Sequence, residues 1–541
     1  MKYYKGGHLY YPEIPFYGIL DDTVGRFPDR YAFLYPKKIT YKEFGESVDK
    51  MATALADIGV KKGDRVIIYS PNCIEWVIAC YGISKAGGVF VPMNPMFRES
   101  EVEYEVNDAE AETIIINEGM YPILENVKDK TGLKNIIVIG EKQADTYSFS
   151  ELLEKYEAKP PKYKYNVKDD IATLLYTSGT TGLPKGSMLT HYNMVANTIQ
   201  WSSHTDFNEN DVFIILIPLY HIFGLALSMN LTIWNGGAQV VMSGFNLAEW
   251  CELVEKYQVT YSLCVPPLLN LIVRHLENPE IEGYDWSSFH VMANGAAPVP
   301  TELAIKFEKL AKEKCKGSED LLVGQGWGLS EAAPVAANPF HRNRLETQGI
   351  LMADTQHKIV DVLTDEELPE PGQMGEMVIR GPQVFKGYWK RPEATEKSFW
   401  TDPKTGLRWF RTGDVAFIDE EGYEHLVDRM KEMIKYKGYA VAPAELEDLL
   451  FKHPKVLDAA VIPKPAPDQA LGEIPKAFIV PKPEYKDDIS EQEIIDWVAE
   501  RIAAYKKIRE VEFVEGIPRV ITGKILRRDL IKREREKMGL E

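Results

Sequence analysis

The sequence predicts an α/β protein of more than one domain, and three observations carry that prediction. Short apolar runs alternate with amphipathic segments through the first two-thirds of the chain. The texture then changes near residue 348 to short strands and turns rich in Gly, Pro and Asp, and again near 429 to a mixture of strand and helix. At 541 residues the chain is too long for one hydrophobic core.

The elements follow in order. Residues 64–69 read as a strand, 76–85 as a helix, 88–92 as a strand, 98–107 as a helix and 113–117 as a strand. Residues 239–242, 261–265 and 289–293 read as strands of a second such layer, and 171–175 as a buried strand feeding a loop. Residues 348–428 suggest a small β unit, and a charged junction near 428–432 marks a hinge before a separate C-terminal domain with a helix over 490–504. The expected boundaries are therefore 1–428 and 429–541. The uncharged run from Val212 to Trp234 is long enough to span a bilayer. Pro218, His221, Gly224, Ser228 and Asn230 interrupt it, so it divides better into a strand over 212–217 and a helix starting near Phe223.

Charge and cysteine content narrow the function. The net charge of −18 argues against a general nucleic-acid binder while leaving room for small anionic ligands at a locally positive loop. The five cysteines form no CxxC pair, and the N-terminus lacks the apolar run of a secretory signal. A reducing, cytoplasmic setting is expected.

The most informative stretch is 176–186, Tyr-Thr-Ser-Gly-Thr-Thr-Gly-Leu-Pro-Lys-Gly. Glycines let backbone N–H groups close on an anion, hydroxyls add donors and Lys185 brings positive charge, which together make a phosphate cradle. It is not a Walker A loop, because Gly186 rather than Ser or Thr follows the lysine. Downstream, 324–331 offers glycines, the plane of Trp327, the hydroxyl of Ser330 and the carboxylate of Glu331, a set able to stack a base, hold a phosphate and bind Mg²⁺. Asp414 follows a glycine and can accept from two ribose hydroxyls, or simply shape its own turn. Lys524, after Gly523, can neutralise charge on a carboxylate–phosphate centre.

In this order, with Arg429 and Lys431 between them, these motifs resemble the acyl-adenylate-forming superfamily: acyl-CoA synthetases, adenylation domains of peptide synthetases and firefly-type luciferases. The resemblance runs over nearly the whole chain. It implies a large N-terminal domain of two doubly wound α/β subdomains plus a small distorted β-barrel, followed by a small mobile α+β C-terminal domain. It implies that Thr177, Ser178, Gly179, Thr180, Thr181, Gly182 and Lys185 close over the ATP phosphates. Gly295, Ala296, Ala297, Gln325, Gly326, Trp327, Gly328, Leu329 and Ser330 would hold the adenylate, with Trp327 and Ser330 where most relatives have Tyr and Thr. Glu331 and Thr177 would hold Mg²⁺, and Asp414 with Arg429 the ribose. Lys524 would bridge carboxylate and α-phosphate, although its neighbours Val520 and Ile521 depart from the usual pattern. Lys431 would be the hinge, and Lys435 and Gly438 would face coenzyme A.

By the same resemblance His221 stands where the acyl and pantetheine channels meet, and Ile222, Phe223, Ala226, Ala293, Pro334, Val335 and Ala336 wall the acyl pocket. None is charged, which suits a simple acyl chain better than a hydroxylated ring. The implied activity is an AMP-forming fatty acid–CoA ligase for medium to long chains, using ATP, coenzyme A and a small-molecule carboxylic acid. An aryl-CoA ligase, or a stand-alone enzyme loading a carrier protein, are the alternatives. A monomer or homodimer is expected, with no nucleic acid and no transmembrane segment; peripheral membrane contact stays open. Lys506, Lys507 and Arg509 are the candidates to meet the CoA 3′-phosphate.

Overall fold

The computed structural model describes the chain except for residues 1–3, 6, 7, 178–182, 282, 437, 438, 468–471, 487, 520–524, 540 and 541. The chain forms two compact units, residues 1–356 with 380–410, and residues 357–379 with 411–541. The β-rich stretch expected over 348–428 is thus shared between both units.

The first unit holds two sheets. One has seven strands in the order Lys185–Thr190, Ile171–Thr177, Val89–Met93, Arg65–Tyr69, Thr113–Asn117, Asn135–Ile139 and Tyr147–Ser148. All its pairings are parallel except the first, a hairpin that turns back around the glycine-rich loop. Strands such as Thr-Ile-Ile-Ile-Asn read as continuous apolar runs because both faces are covered. The other sheet has nine strands, and its centre runs Leu322–Leu329, Val291–Asn294, Tyr261–Cys264, Val212–Ile215, Ala238–Val241, Tyr31–Tyr35, all parallel. The helix Tyr41–Asp57 starts on a capping box between Thr40 and Glu43. It packs on the helix Ile74–Lys85, which is buried on nearly every side, as its apolar sequence requires.

The uncharged stretch from Val212 resolves as expected into a strand, Val212–Ile215, and a helix, but the helix begins as a π-helix over Gly224–Asn230 before continuing as Leu231–Asn235. Among the described residues no helix is long and apolar enough to cross a membrane. All five cysteines are free, four of them buried.

In the second unit, residues 411–418 of the strand Arg408–Ile418 run antiparallel to Glu424–Arg429, and Asp414 lies opposite Arg429. A three-stranded sheet follows, Val456–Pro465, Glu473–Pro481 and Glu510–Phe513, with the helices Pro443–Phe451, Glu491–Ala499 and Arg527–Lys537. The helix expected over 490–504 stops at Ala499. The chain has to turn there to lay Glu510–Phe513 parallel to Glu473–Pro481.

Candidate active site

The glycine-rich loop is framed by two strand ends that the sequence locks together. Thr177 and Lys185 are opposite one another in the hairpin, and Tyr176 pairs with Gly186. Ser178, Gly179, Thr180, Thr181 and Gly182 lie outside the described residues. The frame is anchored from the helix Glu99–Ala109: Tyr176 OH donates to Asp108 Oδ2 at 2.8 Å, and Tyr104 OH donates to the carbonyl of Pro184 at 2.7 Å. Asp108 also accepts from Arg391 at 2.5 Å, and its carbonyl takes the Trp389 indole N–H at 3.1 Å. One acidic side chain thereby ties the entry of the loop to the segment 388–391.

That segment is the part of the site with no motif to announce it. Trp389 N–H donates to the carbonyl of Gly186 at 2.8 Å, and Ser187 and Tyr388 form an antiparallel bridge, so the segment lies along the Lys185–Thr190 strand. This puts Tyr388 between two predicted functional groups. Its hydroxyl donates to Glu331 Oε1 at 2.8 Å, and Lys185 Nζ lies 5.2 Å from its ring centroid. Burial and the Glu331 carboxylate push the Tyr388 phenol well above its ordinary range, so it remains a donor. A backbone bond from Phe385 N–H to the Glu331 carbonyl, 2.8 Å, fixes the same strand-end region.

The nucleotide-side residues Gln325 to Leu329 sit on the strand Leu322–Leu329, with Ser330 and Glu331 in the turn just beyond. Gln325 is committed to protein: its Oε1 accepts from Val299 N–H at 2.9 Å, just beyond the Gly295–Ala296–Ala297 segment, and its amide donates to the Leu345 carbonyl. Within that segment Ala296 is left-handed at φ 67°, and beyond Glu331 Ala333 stands at φ 51°. Such conformations cost alanine about 1 kcal/mol or more each and persist where surrounding structure enforces them. Gly295 is needed for another reason. A Cβ there would lie 2.9 Å from the Phe223 ring.

His221 is half-buried at the head of the π-helix. Its Nδ1 accepts the Phe223 N–H at 3.2 Å and burial lowers its pKa, so the neutral ring carries its proton on Nε2. His221, Ile222, Phe223, Ala293 and Pro334 line one cavity with Gly295, Ala296 and Trp327. Ala226, Val335 and Ala336 are buried but do not line it. The structure adds a lining that the sequence reading missed, including Trp201 and His204 of the helix His191–His204, Phe213, Tyr261, Asn338 and Phe340. The wall is therefore not purely aliphatic. The only signal for Trp201 and His204 was an apolar helix, which reads equally well as core.

In the second unit, Asp414 is 4% exposed and its Oδ1 takes the Arg429 Nε at 2.7 Å. It stands in a strand rather than in a turn, after Gly413 at φ 70°. Lys431 and Lys435 are exposed, and the Lys435 N–H donates to Glu473 at 2.9 Å. Of the CoA-phosphate candidates, Lys506 is paired with Glu445 at 2.7 Å, and the Arg509 guanidinium stacks 3.9 Å from the Tyr436 ring centroid. Lys507 gives its carbonyl to Arg509. Gly438 and Lys524 lie outside the described residues. No cluster of three or more His, Cys, Asp or Glu side chains able to hold a metal occurs among the described residues.

A threonine-and-lysine hairpin, a carboxylate held by Tyr388 and an apolar cavity beside His221 are the parts expected of an adenylate-forming enzyme. The chain belongs to the AMP-binding enzyme family: that family's model matches residues 20–389, and the model of the AMP-binding enzyme C-terminal domain matches 445–524. It is similar to a 4-coumarate–CoA ligase of Pinus taeda, 36% identical over 552 residues and covering 98% of each chain. A peroxisomal OPC-8:0-CoA ligase of Arabidopsis thaliana is 36% identical over 506 residues, covering 92% of this chain and 88% of the relative. Among solved structures, a long-chain-fatty-acid–CoA ligase of Archaeoglobus fulgidus is 39% identical with a TM-score of 0.75, covering 95% of this chain and 100% of that one. The protein is an AMP-forming acid–CoA ligase, and ATP, coenzyme A and a small-molecule acid fit as its substrates.

Proposed function

We propose that this ligase activates a medium- to long-chain fatty acid. The observation that carries the reading is the cavity's length. It follows one face of parallel strands from the level of Tyr261 and Val291 to that of Gly328, with polar groups few against its apolar wall. The six steps along the strand from Leu322, level with Val291, to Gly328 span about 20 Å at roughly 3.3 Å each. The Archaeoglobus fulgidus relative is described as acting on long-chain fatty acids.

In the first half-reaction a carboxylate oxygen of the acid bonds to the α-phosphorus of ATP, the bond to the bridging β-phosphate oxygen breaks, and pyrophosphate leaves. In the second, the thiol sulfur of coenzyme A bonds to the acyl carbon, AMP departs with the electron pair of the broken C–O bond, and the thiol proton passes to solvent. A carboxylate is a modest nucleophile, so rate comes from placement and charge neutralisation. Thr177 and Lys185 hold the departing phosphates, and Lys524 draws carboxylate and α-phosphate together. Asp414 accepts from the ribose hydroxyls, with Arg429 fixing its rotamer at 2.7 Å. His221, with its proton on Nε2, donates at the junction of acyl chain and thiol. Lys431 is the hinge, and Lys435 and Gly438 face coenzyme A.

The chemistry of the donors fits Mg²⁺: Glu331 supplies a carboxylate and Thr177 a hydroxyl, hard oxygen ligands of the kind that ion shares with phosphate and water. Bound there, the ion would neutralise phosphate charge. Tyr388 holds the Glu331 carboxylate in place for it.

An aryl acid is the second reading, favoured by Tyr261, His204 and Asn338 in the cavity wall and by relatives described as 4-coumarate–CoA ligases. A panel of C2–C18 acids with benzoates and cinnamates, scored for acid-dependent pyrophosphate release and CoA-dependent AMP release, separates the two. Fatty acids of about ten carbons or more should lead. A lead by hydroxylated aromatic acids would sink the proposal.

A further inference from the structure

We propose that Gly324 sets the length of acyl chain this enzyme accepts, by keeping the cavity open between its mouth and its far end beside Tyr261; the inference rests on reading the cavity as the acyl site. The cavity floor is one face of three neighbouring parallel strands. Their register arranges it in rows: Tyr261 and Val291, level with Leu322, form one row of the lining, and Leu263, Ala293 and Gly324 the next. Successive rows on a face lie about 6.6 Å apart.

The first row is bulky, and aromatic side chains cluster around it at the far end. The Phe213 and Phe340 rings lie 6.1 and 5.8 Å from that of Tyr261. The second row shrinks across the sheet from isobutyl to methyl to hydrogen. Beyond it, toward Gly295, Gly326 and Trp327, lies the mouth beside His221.

Gly324 differs from its neighbours in what its hydrogen faces. A Cβ at Gly326 would sit 3.0 Å from the Ala336 carbonyl oxygen, and one at Gly328 2.5 Å from Pro334 Cα, so the adjoining strand demands glycine at both. At Gly324 the nearest heavy atom would be Leu322 Cδ1 at 3.9 Å. Neither a left-handed backbone nor a neighbour requires glycine there, and glycine weakens a strand interior. The space it leaves belongs to the cavity, which Gly324 lines. A side chain at this position would project into the cavity between its far end and its mouth.

The full floor, about 20 Å, accommodates an extended chain of roughly 15 carbons at about 1.3 Å per methylene. Blocking the Gly324 row leaves about 13 Å, or roughly ten carbons less the width of the new side chain.

The test measures kcat/KM for acid-dependent pyrophosphate release with even-numbered C4–C18 acids in the wild type, Gly324→Ala and Gly324→Leu, with circular dichroism as the check on folding. In Gly324→Leu the C16-to-C6 ratio should fall by about 30-fold or more, the scale of a few methylenes expelled from an apolar pocket, while turnover of short acids persists. Gly324→Ala should shift the ratio the same way by less. Unchanged ratios in both variants would overturn the inference, as would equal loss of short and long acids in a folded Gly324→Ala. The wild-type profile is read separately. A wild type confined to aromatic acids defeats the fatty-acid reading itself, whereas a wild type active on long chains with unshifted variants defeats only the role of Gly324.

Discussion

Replacing Tyr388 by Phe removes one oxygen from the site and leaves the ring. The lost interaction is a hydroxyl donating to a carboxylate at 2.8 Å, in partly buried surroundings. Hydrogen bonds to charged groups contribute about 1.5–3 kcal/mol, which corresponds to roughly 10- to 150-fold in rate if the energy is expressed in the transition state. The ring 5.2 Å from Lys185 Nζ is retained in Tyr388→Phe and lost in Tyr388→Leu. The leucine variant should therefore lose about a further 0.5–1 kcal/mol, or two- to fivefold. The assay is acid-dependent exchange of labelled pyrophosphate into ATP, titrated with Mg²⁺, beside CoA thiolysis of supplied acyl-AMP. The expected result is a loss of exchange that is largest at limiting Mg²⁺ and partly recovered at high Mg²⁺, with thiolysis unchanged. Wild-type exchange at limiting Mg²⁺, or a loss of thiolysis equal to that of exchange, would refute the positioning role.

Other outcomes follow from the same geometry. Lys524→Ala should abolish adenylate formation yet spare thiolysis of added acyl-AMP; equal loss of both half-reactions would remove Lys524 from its role. Asp108→Ala leaves Tyr176 and Arg391 without their shared partner. It should destabilise the fold by about 1–3 kcal/mol, mainly through the Tyr176 hydrogen bond because the Arg391 side chain is partly exposed, lowering the melting temperature, and it should raise KM for ATP more than it lowers kcat; a change in kcat alone would contradict the anchoring of the loop frame. His191 is buried, accepts the Phe16 N–H at 3.0 Å, and burial lowers its pKa to about 4. Because the folded value lies below the unfolded one, stability is full above about pH 6.5 and is lost as pH falls toward 4, by roughly 3 kcal/mol. His191→Gln, which keeps an acceptor but does not titrate, should flatten that part of the urea-midpoint profile; an unchanged acid slope would show that other groups carry it.

Much of the architecture was legible because it rests on local signals. The run Thr-Ile-Ile-Ile-Asn at 113–117 occupies the strand read for it, since covered parallel strands need continuous apolar residues. The strand feeding the glycine-rich loop was legible through composition, whereas the returning strand Lys185–Thr190, which pairs with it from Thr177 and Lys185 onward, was not. Nor was Tyr388. It stands 57 residues from Glu331, and only a tertiary contact gives its hydroxyl a meaning. The cavity's distal wall was hidden for a related reason: Trp201 and His204 lie on a helix whose apolar face looks like any buried face until the opposite strand proves to carry glycine. The π-helix after His221 has no period distinct enough to read from seven residues. The end of the helix Glu491–Ala499 depends on where the following strand must dock, which no cap residue at 500–504 announces.

The central claim is that one acid-dependent reaction splits ATP between its α- and β-phosphates and passes the acyl group to a thiol. The direct measurement incubates the protein with α-³²P-ATP, Mg²⁺, palmitate and coenzyme A, and resolves nucleotides and thioesters over time. Labelled AMP and palmitoyl-CoA should form in equal amounts, with acyl-AMP accumulating when coenzyme A is withheld. Labelled ADP as the product, or AMP formed at the same rate without acid, would contradict it.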